Sequence, residues 1–465
     1  MKKSLLPALL LFVTTCSAQW TGARMDTLTH NAERDEISRQ SFALDAGNNL
    51  HLISVRENGT GWMILYFNHP ANGSWSVEDT ASIGPSAEPT LAVSGQDGIP
   101  YIACTEDSIN EIILYHKTGT SWTREQVTSN LTNDFSPSIA LDENGFVHLA
   151  WILEDPAGTY KINYANNRNG NWNIQTLVNS QLGPFGSGAA PQIAIQPGGV
   201  AHIVYRGGNF GTYRIHHAYN DSLGGSNWNF DFPTSPNAED LSSSIVVTPD
   251  STVHLLVSGN DGFGFPVHAY YMEKTSGAIS FGNAVDVANG FSAEVGSLFI
   301  SNNTAACVLN EVSGNFYTGN LIYSDENSGW IASTLLNTQD IYNGQLIIDQ
   351  NGKGFAAAYQ GNTFQTEEII VYGPDNTTAI AGISESPDKV YGFIKGESLY
   401  LKSLNSFSGK IRLYDISGKI IQSLTLELFP GESEKISLSG YSNGIYLLQG
   451  ISGENNFTLK VNYTH

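Results

Sequence analysis

The apolar positions of this chain fall into short runs that break at tight turns, and the runs repeat. Segments 137–145, 191–199, 244–250 and 344–352 share one pattern, a short apolar strand leading into a turn built from Asp, Asn, Pro or Gly. Taking the central apolar residue of each copy as a marker gives Ala43, Ala92, Ala140, Ala194, Val246, Phe299 and Ile347, spaced 49, 48, 54, 52, 53 and 48 residues apart. So regular a period predicts seven copies of one structural unit.

The unit is clearest at residues 137–178. Strands are expected at 138–141, 146–153 and 161–165, with a fourth beginning at Trp172; turns at Asp142-Glu143-Asn144-Gly145 and Asn169-Gly170 join them. Asn-Gly is the strongest short hairpin signal, so the strands pair consecutively and antiparallel. Four such strands per copy predict an all-β, seven-bladed β-propeller. The aromatic of the fourth strand recurs as Trp75, Trp122, Trp172, Trp228, Phe281 and Trp330, but the seventh copy runs into Gly373-Pro374-Asp375 without one. Residues 20–27, starting at Trp20, resemble 122–129 and precede the first marker. The N-terminal segment is therefore expected to supply the missing outer strand and close the ring, which would otherwise expose unpaired strand edges.

The first residues read as a signal peptide, 1–18: a basic start at Lys2-Lys3, a short apolar run over 5–13 and a small-residue cleavage site at Ala18. That run is well short of the ~20 residues that cross a bilayer, and no later stretch approaches that length, so no transmembrane segment is expected. Thr15 before Cys16 fits poorly with a lipoprotein signal. The mature chain keeps Cys104 and Cys307 in different copies, too far apart to meet the ~7 Å Cα separation of a disulfide, and both are expected as buried free thiols. A net charge of −22 repels extended polyanions and argues against a nucleic-acid partner. Charged residues make up only 14 %, beside 47 glycines, which suits an all-β repeat protein rich in turns.

The order of apolar strand, Asp-x-x-Gly turn, His-bearing strand, Tyr-rich strand and Gly-x-Trp is similar to that of secreted bacterial propellers loosely related to sialidase-like, Asp-box repeats, and the resemblance covers residues 20–375. Ser324-Asp325-Glu326-Asn327-Ser328-Gly329-Trp330 is the best Asp-box match; elsewhere the aromatic is kept and the Asp usually is not. A sialidase would need three substrate-gripping Arg and a Tyr-Glu nucleophile, and this propeller has few Arg and no opening Arg-Ile-Pro. At the other end, Ile411-Arg-Leu-Tyr-Asp-Ile-Ser-Gly418 and Asn443-Gly-Ile-Tyr-Leu447 resemble the C-terminal sorting domain of the type IX secretion system, although Ser386-Pro387-Asp388 stands where Pro-Asn-Pro is usual. The resemblance implies a partner in the type IX machinery, passage across the outer membrane, and an extracellular or cell-surface location. The expected organisation is signal peptide 1–18, propeller 19–375, polar linker 376–389 and a small β-sandwich-like sorting domain 390–465.

Candidate functional residues are weighed against their packing roles. His51, His148, His202 and His254 sit eight residues after their markers, with Pro100, Cys307 and Phe355 in the other copies. Equivalent positions lie in separate blades and cannot converge on one ion, so these are expected to be buried, hydrogen-bonded structural side chains; no metal site and no cofactor is expected. The Trp column is likewise read as packing between blades, and the Asp residues of Asp142-Glu143-Asn144-Gly145 as turn-formers. The non-repeating loop residues, Arg56, Glu106, Glu154, Asp155, Arg206, Asp261 and Glu311, with Phe210 and Phe263 nearby, are the candidate binding rim. His-Glu-x-x-His, Gly-x-Ser-x-Gly and phosphate-loop motifs are absent, so the reading is a monomeric, non-catalytic module that binds a glycan or a protein. The alternative is a glycoside hydrolase or lyase pairing Glu106 with Glu154 or Glu311, since hydrolysis needs two carboxylates ~5–9.5 Å apart.

Overall fold

The computed structural model describes residues 23–28, 35–57, 61–71, 75–76, 79–82, 84, 86–178, 190–208, 212–222, 224–261, 266–301, 304–313, 316–337, 341–349, 354–361, 367–373, 390–395, 398–403, 407–415, 419–428, 433–441, 444–452 and 455–463. The signal peptide, Trp20, Phe210, Phe263 and the linker 376–389 lie outside them. All regular structure among the described residues is strand, with no helix long and apolar enough to cross a membrane. Two compact units are present, one running to Gly373 and one from Pro374 to His465.

The first unit is a propeller of seven antiparallel sheets. Blade 3 is the plainest, with Asn133–Leu141, Val147–Glu154, Tyr160–Asn166 and Asn173–Val178 paired in chain order. Blade 2 opens with Ser86–Val93, blade 4 with Gln192–Ile195, blade 5 with Glu239–Val247 and blade 6 with Ala293–Ser301. Blade 1 has its inner strand split into Asp35–Glu36 and Phe42–Leu44, both paired with Leu50–Glu57. In blade 7 the order is Ile341–Ile348, Gly354–Gly361, Glu367–Gly373 and then Ala23–Thr27, so the N-terminal strand completes the last sheet. Leu28 N–H extends that pairing by donating to Ile369 O at 2.9 Å.

Seven apolar clusters hold the blades, each between two neighbours. Ile53 and Tyr66 of blade 1 meet Ile102 and Cys104 of blade 2, and Leu52 and Phe67 of blade 1 meet Ala357 and Ile369 of blade 7. The outer-strand aromatics join these seams: Trp122 stands edge-on to Tyr66 at 5.3 Å, and Trp228 to Tyr164 at 5.0 Å. Their indole N–H groups, with that of Trp172, donate to the preceding blade's outer strand, at Asp79 (3.1 Å), Glu125 (2.7 Å) and Gln175 (2.9 Å). In these three blades the column combines apolar burial with a satisfied polar tip, whereas the Nε1 of Trp75 is buried without a partner. Cys104 and Cys307 are free and buried, and burial pushes the Cys104 thiol up to about 12.

The histidine column is also structural. His51, His148 and His254 each place Nδ1 2.7 Å from a tyrosine hydroxyl of the neighbouring strand (Tyr66, Tyr164 and Tyr271), while Nε2 faces the turn at Asp45, Asp142 and Thr248. Those turns are themselves closed by side chains: Asp142 Oδ1 accepts from Asn144 N (2.9 Å) and Phe146 N (3.0 Å). In blade 4, His217 replaces the tyrosine, 3.1 Å from His202. Blade 2 departs from simple counting. Ala92 pairs with Tyr101 rather than Pro100, and Tyr101 stacks on His116, so the turn is one residue longer and the two ring types have exchanged strands. In blade 6 the residue opposite Phe299 is Ala306, not Cys307.

The second unit, taken by itself, has a three-stranded sheet (Val390–Lys395, Ser398–Ser403, Ser433–Ser437) and a four-stranded one (Ile420–Leu428, Phe407–Tyr414, Gly444–Ser452, Asn455–Tyr463). Leu399, Leu401, Phe407, Ile411, Ile436 and Leu448 form its core.

Candidate functional site

The inner strands begin earlier than their polarity pattern suggests, and the extra residues build the site. In blade 3 the strand starts at Asn133, and its register slips between Phe135 and Ser138; comparable slips occur at Ala87/Thr90, Asp240/Ser242, Val295/Ser297 and Tyr342/Gln345. Such bulges bend a strand and re-aim its side chains. Glu88, Ser136 and Asn343, each four residues before its marker, hold φ of 50°, 53° and 50°, and Gln40 in blade 1 holds 56°. For residues with a Cβ this left-handed conformation costs ~1–3 kcal/mol and persists only where surrounding structure fixes it.

Beside these bulges stands a ring of polar side chains, two residues before the markers: Ser41, Thr90, Ser138, Gln192, Ser244, Ser297 and Gln345. Ser138 Oγ accepts from Ile193 N (3.1 Å), Ser244 Oγ from Leu298 N (3.2 Å) and Ser297 Oγ from Leu346 N (3.0 Å), each tying one blade to the next. Gln345 Oε1 accepts from Ser41 N (2.9 Å) and Phe42 N (3.2 Å), joining the last blade to the first. Gln40 spans farther: its Nε2 donates to Ile139 O (3.0 Å) and its Oε1 accepts from Ser138 Oγ (2.7 Å).

Inside this ring lies a cavity of about 350 Å³, walled by the inner strands of blades 1, 2, 3, 4, 6 and 7. Among the described residues its charged lining is Glu36, Arg39, Glu88 and Glu294; Trp62 supplies an aromatic, and Asn310, Asn343 and Gln192 supply amides. Ser136 donates to the Glu88 carboxylate from the adjoining blade. Thr90 lines the cavity, and its hydroxyl is buried with no hydrogen-bond partner. Among the described residues no group of three His, Cys, Asp or Glu side chains is arranged to hold a metal ion.

None of the seven rim residues expected from sequence is among those lining the cavity. Arg56 is buried in a two-point ion pair with the fully buried Asp35 (2.7 and 3.1 Å). Glu106 pairs with Arg124 of its own blade, its Oε2 3.1 Å from Nε. Glu154 accepts from Tyr160 Oη (3.0 Å) and Asn133 Nδ2 (3.1 Å). Asp155 closes a turn through Ala157 N and Thr159 N and meets Lys161 at 3.0 Å; these partners hold its carboxyl below the usual range. Arg206 lies 4.5 Å over the Tyr213 ring, Asp261 is 3.3 Å from His268, and Glu311 accepts from Asn320 at 2.6 Å. Each is engaged within its own blade. Left-handed residues and prolines interrupt the strand alternation around the cavity residues, and the signal the sequence carries for them is the polar column two places before each marker.

Residues 395–462 match the family model of the secretion system C-terminal sorting domain, so the chain is a type IX cargo with an extracellular or cell-surface destination. Among solved structures the chain is similar to a protein of unknown function from Dyadobacter fermentans (12 % identity, 62 % of this chain and 94 % of that one, TM-score 0.45). It is also similar to the β-propeller domain of the Trilobed protease from Pyrococcus furiosus (7 %, 74 % and 95 %, 0.43) and to an α-L-arabinanase from Penicillium chrysogenum complexed with arabinobiose (13 %, 63 % and 94 %, 0.40). No curated protein matches.

Proposed function

We propose that this exported propeller is a non-catalytic binding module that takes a saccharide in its central cavity. The observation that carries the reading is a preformed cavity of about 350 Å³ whose wall is tied strand to strand. That volume falls within the ~300–1,000 Å³ of small-molecule sites. Its lining mixes what a sugar needs: the Trp62 ring to stack on, and amides, hydroxyls and carboxylates to receive hydroxyl groups. A wall already ordered before binding also spares the ligand the entropy of arranging it. Three carboxylates in one cavity favour the alternative of a glycoside hydrolase, which needs two.

A glycan-array screen of the full chain, with turnover followed on every ligand bound, separates the readings. Binding without turnover, weakened by Glu36→Gln, Glu88→Gln or Glu294→Gln and unaffected by Glu106→Gln, Glu154→Gln or Glu311→Gln, supports the module. Turnover abolished by one cavity Gln makes the protein an enzyme. No glycan bound at all refutes the reading and points to a protein partner.

A further inference from the structure

We infer that the side chains of Lys274 and Asp231 join in an isopeptide bond that staples blade 5 to blade 4. Asp231 ends the outer strand of blade 4, Trp228–Asp231, and Lys274 ends the third strand of blade 5, Val267–Lys274. The lysine Nζ lies 2.5 Å from Asp231 Oδ2, and the two side chains are only 10 % and 14 % exposed. His217 Nδ1 stands 3.2 Å from the same oxygen, and His202 backs that imidazole, 3.1 Å from its Nε2. Aromatic rings wall the group: Lys274 Nζ is 4.7 Å over Tyr219, and Phe281 meets His217 edge-on at 5.5 Å.

A second joint of the propeller shows what sets this one apart. Asp79 of blade 1 holds the same place as Asp231, the two lying opposite Tyr66 and His217 in their sheets. Lys117 of blade 2 reaches Asp79 at 2.6 Å, but those side chains are 24 % and 33 % exposed, and the Trp122 indole donates to the same carboxylate oxygen. Phe281 fills the Trp slot of blade 5 and has no N–H to give, and an imidazole takes that place at Asp231. Water supports the ion pair at the first joint. At the second, a poorly solvated pair is driven towards its neutral form by passing one proton from ammonium to carboxylate. The resulting amine is a nucleophile. Its Nζ attacks Asp231 Cγ, His217 gives a proton to the departing oxygen and regains one from the attacking nitrogen, and the Cγ–O bond breaks. One C–N bond forms, and one water leaves with two of the three ammonium protons; no oxidant or cofactor takes part.

The test is the mass of the denatured full chain, with a peptide map. The chain is expected to be lighter by one water, with trypsin cutting after Lys117 but not after Lys274. A protease specific for aromatic positions should leave the segment that carries Asp231 joined to the one that carries Lys274. Lys274→Arg keeps the cation without an attacking amine and should restore the full mass. His217→Gln should slow the loss of water at least about a hundredfold, the scale of a general acid, when the mass is followed by pulse labelling from synthesis onward. A histidine that only packs would leave that rate unchanged. Should a variant fail to fold, the mass and map of the unaltered chain decide alone. A chain of full mass after prolonged incubation at neutral pH overturns the proposal. Loss of water mapped instead to Asp97-Gly98, where an aspartate can close on the following glycine nitrogen, overturns it equally.

Discussion

Acidification should loosen this propeller well above the pH at which carboxylates protonate, and His148 sets the scale. Its ring is fully buried between Tyr164 and Asp142, with Arg168 3.0 Å from the same carboxylate. Burial is the main influence, the nearby Asp142 carboxylate offsets it in part and Arg168 adds to it; together they push the imidazole down to about 4 from 6.5. The unfolded chain therefore takes up a proton that the folded one refuses. Stability from this group is complete above the unfolded value and is lost as pH falls from 6.5 towards 4. For such a shift the loss relative to pH 7 is about 2 kcal/mol at pH 5 and about 3 kcal/mol at pH 4, at 1.36 kcal/mol per unit. His51, His202, His217 and His254 are lowered in the same direction, also chiefly by burial, so the blades share the sensitivity. The assay is urea unfolding of the full chain at pH 7, 6 and 5, beside His148→Gln, which keeps a polar side chain that cannot titrate. The variant should be less stable at pH 7 and lose less on acidification, by about 2 kcal/mol at pH 5. Parallel pH profiles for the two proteins would refute the argument, because His148 would then carry no folded-state shift.

Other perturbations test other joints. Arg56→Met strands the fully buried Asp35 carboxylate and should cost about 3–5 kcal/mol in chemical denaturation; a loss below 1 kcal/mol would mean that Arg56 is not holding the split inner strand of blade 1. Gly296→Ala places a methyl 2.6 Å from Gly344 O and 2.8 Å from Val308 O, both backbone, so blades 6 and 7 must part and the melting temperature should fall by several degrees, as overpacking of about 1–3 kcal/mol predicts. Removing residues 23–28 takes the outer strand from blade 7 and exposes Glu367–Gly373 as an edge. That deletion should lower the midpoint of the whole propeller and promote aggregation in light scattering, whereas an unchanged midpoint would show that the N-terminal strand closes nothing.

What the sequence made legible follows from how each feature is encoded. The blade count, the strand order and the use of the N-terminal segment rest on period and turn chemistry repeated seven times, and repetition averages out local noise. Residues 122–129 predicted the place of Ala23–Thr27 because one blade serves as a template for another. Counting fails where a copy changes length: the longer turn around Gly98, at φ 71°, moves the histidine slot of blade 2 from Pro100 to Tyr101.

The site was harder to read for a physical reason. Charged residues at strand ends looked like a binding rim because a sequence displays charge and hides partners, and Arg56 with Asp35 or Glu106 with Arg124 shows how completely such charges can be spent on the fold. A ligand site must keep hydrogen-bonding capacity that the fold has not consumed. Along the inner strands Ser138, Ser244, Ser297 and Gln345 consume theirs in binding blade to blade, while Thr90, at the equivalent place in blade 2, does not. The repeat is therefore the background against which a site is seen. Four of the seven blades use that position to tie one blade to the next, and blade 2 leaves it unsatisfied beside Glu88, which sets that blade apart from the repeat.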